Sequence, residues 1–517
     1  MRAVIIIATA IRRTHGRWNI NTDMLASVFD ETNPPPPAFS IVRPTHTHRP
    51  HIYLPMTTAT PTFQHLSPSD LHAAIAIELA SYPSDEAASL QSLTHRQQVA
   101  PMAFLGMYDH DHTLIGFICS TCTNAPQLEE ETMSTHDPTG VSLCIHSVVV
   151  KESHRRQGLA TLMLRHYCTT VPYHFPLVKN MRLISKAHLI SFYAQASGFD
   201  FVQLWPFHHG QDHWFEMQLS LDRIVQYQVD AFAVPTKAFS GNPAAVALLP
   251  PGMPRPSDEW YKNVAAANAL SETAFVQRRR EQPLGASSVA YDLRWFTPTT
   301  EVDLCGHATL ATAFALWESK QVLRDAVVAQ PVTTLHFHTL RSGVLIATQN
   351  GNGAITMDFP SDPSTEVPPE ELVAIMPMVV QGMGLTSDQD VLAVHKGKYD
   401  LLVEVNRETF DVIVPNFSVL THVPCRGVVV TCVGNGGDVS FQSRWFGPQS
   451  GVPEDPVTGS AHCMLACYWQ QKLNTNAMVG HQASERSGTV GVELSEDGTR
   501  VSLTGCSRFF SRGVLEK

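Results

Sequence analysis

Three ionisable side chains far apart in the chain each stand at a turn that could carry them to one place. Glu272 lies in Leu270-Ser271-Glu272-Thr273-Ala274-Phe275, and His307 in Asp303-Leu304-Cys305-Gly306-His307-Ala308-Thr309. Asp455 lies in Glu454-Asp455-Pro456-Val457-Thr458-Gly459-Ser460-Ala461-His462. A fourth segment of the same half is Ser240-Gly241-Asn242-Pro243-Ala244-Ala245-Val246. Gly306 and Gly459 each open an apolar helical run, about 150 residues apart, as in a duplicated lobe. If the lobes face each other, two helix N-termini converge on one cleft, where N–H groups and helix dipoles bind a carboxylate. A carboxyl partly buried between lobes has a raised pKa and is suited to accept and return a proton. That combination serves proton abstraction next to a carboxylate or a conjugated system. Singly, each residue has a plainer reading: Glu272 as a surface residue between helix and strand, Asp455 as a helix cap, His307 as structural.

A second constellation occupies the first half. A strand, Ile145-His146-Ser147-Val148-Val149-Val150, runs into a basic turn, Lys151 to Arg156, and then into Gln157-Gly158-Leu159-Ala160. Gly158 lets backbone N–H groups approach an anion closely. The helix N-terminus adds favourable partial charge, and Arg155 and Arg156 add cationic support. This reads as a pyrophosphate cradle. A Gly-x-Ala between strand and helix is also common packing chemistry. Ser191-Phe192-Tyr193 with Gly198-Phe199, on the next helix, strengthens the functional reading.

Together the Gly-x-Ala and Phe-Tyr-x4-Gly-Phe segments resemble motifs of the GNAT acetyltransferase superfamily. Within it they are most similar to the arylalkylamine (serotonin-type) N-acetyltransferases, over about Phe63 to Leu221. The resemblance implies acetyl-CoA as co-substrate, held by Val148, Val150, Arg155, Arg156, Gln157, Gly158, Leu159 and Ala160. It implies that Pro83 and Trp214 line the amine pocket, where an indole wall suits an aryl group. Acetyl transfer needs a neutral amine, so a base with a pKa near neutrality helps; His146 fits. The departing thiolate takes a proton, with Tyr193 the candidate, and backbone N–H groups of Val148–Val150 would steady the oxyanion. Without the motifs, His146 reads as a strand histidine and Tyr193 as core. The family often has a second histidine two residues before His146; here that residue is Cys144, which removes a two-imidazole proton relay.

The four segments of the second half resemble the PhzF (phenazine-biosynthesis-like) family, within the diaminopimelate-epimerase fold, over about Ile224 to Glu516. The resemblance implies Glu272 as the acid/base that moves the proton, with His307 and Asp455 orienting it and sharing the proton. It implies substrate binding by Ser271, Gly306, Gly459 and Ser460. Cys305 stands where related racemases place one catalytic thiol, but Pro456 occupies the place of the second. A two-cysteine mechanism is therefore not expected, and Cys305 reads as a small buried residue. No cofactor is expected in this half, and a homodimer through it is implied.

These residues need scaffolds. In the first half, Ser67-Pro68-Ser69-Asp70 precedes an apolar helix, Leu71–Ala80, with Ser67 as cap, Pro68 in the first turn and Asp70 closing a capping box. Ala103–Tyr108 and Leu114–Cys122 read as a hairpin. Strand Leu143–Val150, helix Leu159–Cys168, strand Met181–Ser185, helix Leu189–Ser197 and strand His213–Leu219 follow, a mixed α/β alternation. From Ile224 onward strands dominate, with helices at Asp258–Leu270, after Gly306 and after Gly459. The expected architecture is therefore α/β and α+β multidomain: a mixed sheet with helices, then a two-lobed fold with a central helix in each lobe. The expected domains are a disordered leader at 1–60, an acetyltransferase domain at 61–222 and an isomerase domain at 223–517.

Composition sets the outer bounds. A chain of 517 residues is too long for one core, and 44% apolar with 16% charged residues is ordinary for a globular protein. A formal charge of −11 argues against a nucleic-acid partner. Ten irregularly spaced cysteines imply no disulfide framework, hence a reducing, cytoplasmic setting. Cys119 and Cys122 form a CxxC within a strand, with no second pair to complete a zinc site, so no metal is expected. Cys463 and Cys467 read as shared helix packing. Residues 1–60 are rich in Pro, Thr and His, and the short apolar run Ala3–Ile11 leaves open an organellar leader over 1–22. No segment is long and apolar enough to cross a membrane. The expected partners are small-molecule substrates. The chain therefore reads as a bifunctional enzyme, an N-acetyltransferase fused to a cofactor-independent isomerase. The alternatives are an isomerase with a non-catalytic acetyl-CoA-binding module, or a scaffold built on the isomerase fold.

Overall fold

In the computed structural model, which describes residues 11–14, 17–20, 61–129, 131–207, 212–280, 287–319, 321–322 and 331–515, the chain divides into two compact units. One comprises residues up to Tyr167 together with Leu177–Ser220; the other comprises Cys168–Pro176 and Leu221 onward. Within the expected disordered leader, β1 (Ile11–Thr14) pairs antiparallel with β2 (Arg17–Ile20). That hairpin corrects the expectation for those eight residues: two short strands form inside a segment whose proline-rich composition hid them. The rest of the leader, including most of the apolar run Ala3–Ile11, lies outside the described residues.

The first unit is a seven-stranded sheet in the order β3-β4-β5-β6-β7-β9-β8. Its strands are β3 (Thr62–His65), β4 (Phe104–Tyr108), β5 (Leu114–Thr123), β6 (Ser142–Val150), β7 (Asn180–Lys186), β8 (Asp200–Leu204) and β9 (Trp214–Ser220). Strand β5 is buried along nearly its whole length, as its continuous apolar run requires of a central strand. Helices α1 (Leu71–Leu79) and α2 (Leu90–Val99) supply Leu71, Ala74, Ile77 and Leu93 to a core shared with Phe104 and Phe117. Helix α3 (Leu159–His174) follows the basic turn, and α4 (Ile190–Ser197) ends at Gly198 in the left-handed conformation, with φ 81°.

The expected strand and helix order holds, with four differences. The Leu159 helix continues past Cys168 to His174 with Pro172 inside it; the proline has no N–H to bond back one turn, and the helix ends two residues later. Helix α2 and strand β8 carry weak periodicity and were not expected from the sequence. Ser67 caps a single 3-10 turn by accepting from the Ser69 N–H at 3.3 Å. Asp70 closes no capping box; its carboxylate accepts instead from the Tyr108 hydroxyl at 2.7 Å. A tertiary partner outcompetes the local one.

In the second unit, strands from Ile224 to Leu515 form a continuous hydrogen-bonded ladder around two long, buried helices. The helix Gly306–Glu318 packs on strands Ile224–Ala231, Asn242–Leu249, Thr273–Arg278 and Ser507–Leu515. The helix Gly459–Leu473 packs on strands Gly488–Leu494 and Arg500–Gly505. Strand Ile355–Pro360 pairs with Arg500–Gly505 and joins the two parts of the ladder. Ala308, Ala311, Ala313 and Ala315 lie fully buried on the first helix, since small side chains let a helix sit close inside a curved sheet. A further helix, Pro369–Met383, was not expected; its first proline suits an N-terminal turn, and Gly384, with φ 70°, ends it. Cys463 and Cys467 are buried in the core of this unit, and Cys119 and Cys122 are buried on β5. Among the described residues, no helix is long and apolar enough to cross a membrane.

Candidate active sites

Gly306 and Gly459 meet. A Cβ built on either would lie 3.7 Å from the other's Cα, so the first turns of the two helices adjoin, as a common anion site requires. Around this junction the three sequence-singled side chains gather. His307 Nε2 lies 3.3 Å from Glu272 Oε2 and 3.4 Å from Ser271 Oγ. On the other ring edge, Cys305 Sγ is 3.5 Å from His307 Nδ1, and Cys305 is buried. Asp455 interacts electrostatically with both His307 and Glu272.

Desolvation dominates the electrostatics. Burial pushes the Glu272 carboxyl up, against hydrogen bonds from Ser271 and Cys305 that favour its charged form. Burial pushes Asp455 up to about 6, opposed by His307, Thr458 and Asn242. His307 is pushed down by burial, with Asp455 opposing. Two carboxyls lifted toward neutrality beside a weakly basic imidazole can hold or pass a proton near physiological pH.

Several residues that position this group carried no assigned role in the sequence. Asn242 donates to Asp455 Oδ1 at 2.8 Å and to the Val457 carbonyl at 2.9 Å. Its segment was conspicuous in the sequence, but which atom it would meet depends on a partner more than 200 positions away. Gln482 donates to the Asp455 carbonyl at 2.7 Å and accepts from the Thr458 N–H at 2.8 Å. Arg426 donates to Ser460 Oγ at 2.9 Å and to Asp400 Oδ1 at 2.8 Å, with Tyr399 and Trp445 flanking its guanidinium. Nothing in the sequence around Arg426 marks it.

The first unit carries a separate cleft of about 200 Å³. Strands β6 and β7 run parallel and pair only over Ser142–Ile145 against Asn180–Leu183. Beyond Ile145, at a bulge opposite β5, they separate. The cleft lies in that split, lined by His146 and Val148 on one side and Leu183 to Lys186 on the other. Pro83, Tyr193 and Trp214 also line it, so the expected amine-side residues come together. Lys186 Nζ sits 5.3 Å from the Trp214 ring centroid and pairs with Glu86 and Asp212, each at 2.8 Å. The face that an aryl group would need is therefore shared with a cation.

His146 Nε2 and the Thr121 hydroxyl share a 2.8 Å hydrogen bond. Burial, with Arg96 nearby, drives the His146 pKa well below 6.5. Burial pushes the Tyr193 phenol upward, so it holds its proton at neutral pH. The backbone of Val148 is within hydrogen-bonding reach of the Tyr82 hydroxyl. Cys144 is buried in a cluster with Leu128, Trp205 and Trp214.

At the basic turn, Arg156 and Gly158 both take positive φ, 65° and 80°. Space is open where a Gly158 Cβ would stand. Left-handed residues at alternate positions of a turn, here Arg156 and Gly158 on either side of Gln157, aim backbone N–H groups into an anion-binding concavity, so this turn fits a diphosphate. Leu159 is buried and Ala160 half-buried at the start of α3, and Gln157 donates to the Ser153 carbonyl at 3.4 Å. Arg155 is committed elsewhere: it donates to the Val150 carbonyl at 2.9 Å, Ser81 Oγ at 2.9 Å and the Ala80 carbonyl at 3.3 Å. These bonds hold the turn to the end of α1.

Residues 229–513 match the phenazine biosynthesis-like protein family (PhzC-PhzF), and residues 71–199 match the acetyltransferase (GNAT) family. An uncharacterized isomerase of Halalkalibacterium halodurans is 43% identical over 282 residues, covering 54% of this chain and 93% of its own. The human phenazine biosynthesis-like domain-containing protein is 36% identical over 298 residues, covering 55% of this chain and 96% of its own. The crystal structure of a PhzF-family protein from Enterococcus faecalis is 36% identical and covers 57% of this chain and all of its own, with a TM-score of 0.47. With the family match over residues 229–513 spanning Glu272, His307 and Asp455, the chain belongs to the phenazine biosynthesis-like (PhzC-PhzF) protein family and carries a GNAT-family acetyltransferase domain ahead of it.

Proposed function

We propose that the chain is a bifunctional enzyme. Its second domain, 223–517, moves a proton on a small carboxylate-bearing metabolite without a cofactor, in a two-lobed fold of the diaminopimelate-epimerase kind. Its first domain, 61–222, acetylates an alkylamine bearing an aryl group. The single observation carrying the reading is the placement of Glu272 and His307, 3.3 Å apart, with Asp455 in electrostatic contact, beside two adjoining helix N-termini.

In the isomerase site, the substrate carboxylate docks on the N–H groups at Gly306 and Gly459, with Ser271 and Ser460 as hydroxyl partners. Glu272 takes a proton from the carbon beside the carboxylate or conjugated system and returns it to another carbon. His307 and Asp455 orient that carboxyl and share its proton. Asn242, Thr458 and Gln482 hold Asp455 in place. The relatives named isomerases support this class of reaction.

In the first domain, acetyl-CoA is the second substrate. Its diphosphate lies against Arg156 to Ala160, and its extended arm runs into the split beside Val148 and Val150. The Val148 N–H steadies the oxyanion, and Tyr193, kept protonated by burial, protonates the departing thiolate. A homodimer through the second domain completes the proposal. Metabolite profiling with and without the protein, supplied with acetyl-CoA, tests it. Acetylated amines and isomerised acids are both expected; a profile unchanged in both classes overturns the reading.

A further inference from the structure

The cleft between β6 and β7 contains a carboxylate that the sequence left without a role. Glu78, on α1, is only 2% exposed and lines this cleft with His146, Val148 and Tyr193. Its Oε1 is anchored, accepting from the Ala88 N–H at 3.1 Å and from the Ser147 hydroxyl at 3.0 Å. Its Oε2 is buried and has no hydrogen-bond partner among the described residues. A buried carboxylate oxygen without a donor is costly, on the order of 1–3 kcal/mol or more, and asks for an explanation such as a ligand. The complementary group is a cationic N–H donor, and an alkylammonium offers three such protons.

His146 is poorly suited to that part. Its pKa is held well below 6.5 by burial and by Arg96. It is therefore neutral near pH 7 and offers no negative charge to attract an ammonium. Burial moves Glu78 the other way, upward from 4.5, with the bonds from Ala88 and Ser147 and the charge of Arg96 opposing. The titratable and charged groups around it come from every neighbouring element: Arg96 on α2, Cys119 on β5, His146 on β6, Tyr82 after α1 and Tyr193 on α4. The Glu86–Lys186 pair and His188 also line the cleft, and Asp212 pairs with Lys186.

We infer that Glu78 is the amine-docking and proton-accepting residue of this cleft, and that its substrate is a primary amine bound as the ammonium ion. The inference rests on the acetyl-transfer reading of this domain. The ammonium gives one proton to Glu78 Oε2, which passes it to solvent. The freed nitrogen lone pair attacks the thioester carbonyl carbon of acetyl-CoA, forming C–N as C–S breaks. The second proton lost from nitrogen balances the one Tyr193 delivers to the departing thiolate, so amide, thiol and one released proton result.

The test uses the full chain with tyramine as probe and its neutral alcohol analogue tyrosol as control. Calorimetry is expected to show tyramine binding weakened at least tenfold in Glu78→Gln, with tyrosol unaffected. Thiol release from acetyl-CoA is expected to fall about a hundredfold in Glu78→Gln at pH 7 and to recover toward wild type near pH 10, where free amine is supplied by solution. A merely structural role would lower the rate equally at every pH. Glu78→Asp keeps the charge with shorter reach; an intermediate loss with an unchanged acid limb is expected, and it carries the test if Glu78→Gln does not fold. Wild-type acetylation with an indifferent Glu78→Gln overturns the inference alone. Glu78-dependent tyramine binding without acetylation overturns the transfer reading and leaves the docking role. Absence of both tyramine binding and acetylation overturns both.

Discussion

At Asp455, stability and the proposed chemistry pull in opposite directions. Its folded pKa, about 6, lies above its ordinary 3.8 because burial penalises the anion. The folded state therefore binds more protons than the unfolded state between those values. Stability is lost as pH rises through that window, since the charge must then be held in the interior. Asp455→Asn keeps an acceptor for Asn242 and a polar partner for Thr458 while removing the charge. The variant is expected to melt at or above the wild-type temperature at pH 7, with the gap narrowing toward pH 4. Isomerisation is expected to fall at least a hundredfold. Thermal unfolding at the two pH values checks this; an equal destabilisation at both would contradict it. Glu272, His307 and Asp455 stood out in the sequence only through the joint pattern of their segments, since each alone has a plainer reading. Asn242, Gln482 and Arg426 were not, because amide and guanidinium roles are set by partners distant in the chain, such as the 213 positions between Asn242 and Asp455.

At the scale of elements, the function rests on where helices begin. A Cβ on Gly306 would meet only Gly459 Cα at 3.7 Å and Phe359 Cζ at 3.8 Å, both ordinary contacts. Gly306→Ala is therefore expected to fold, with helix propensity gaining up to about 1 kcal/mol. It nonetheless places a methyl where the proposed substrate carboxylate would approach. An unchanged or raised melting temperature with at least a tenfold rise in KM is expected; an unaltered KM would remove the helix junction from the site. Gly158 differs, since its φ of 80° strains any Cβ although space is open. The helices at Gly306 and Gly459 could be read in advance from turn chemistry followed by an apolar run. Helix Pro369–Met383 escaped because prolines open it and one, Pro377, interrupts it. The split between β6 and β7 escaped for another reason: a strand's sequence shows its own burial, not where it parts from its neighbour.

At the scale of the molecule, two sites of different chemistry occupy one chain, each within its own compact unit. The two proposed reactions are expected to be separable, each lost through its own residues. Tyr193→Phe is expected to lower acetyl transfer while sparing proton exchange, and Glu272→Gln to do the reverse. The central claim is that Glu272 carries the proton. The most direct measurement is deuterium uptake from D2O into a panel of small amino, hydroxy and dihydroaromatic carboxylic acids, followed by mass spectrometry with wild type, Glu272→Gln and Tyr193→Phe. Uptake into at least one acid by wild type and Tyr193→Phe, with none above background for Glu272→Gln, is expected; uptake by Glu272→Gln at the wild-type rate would contradict the account.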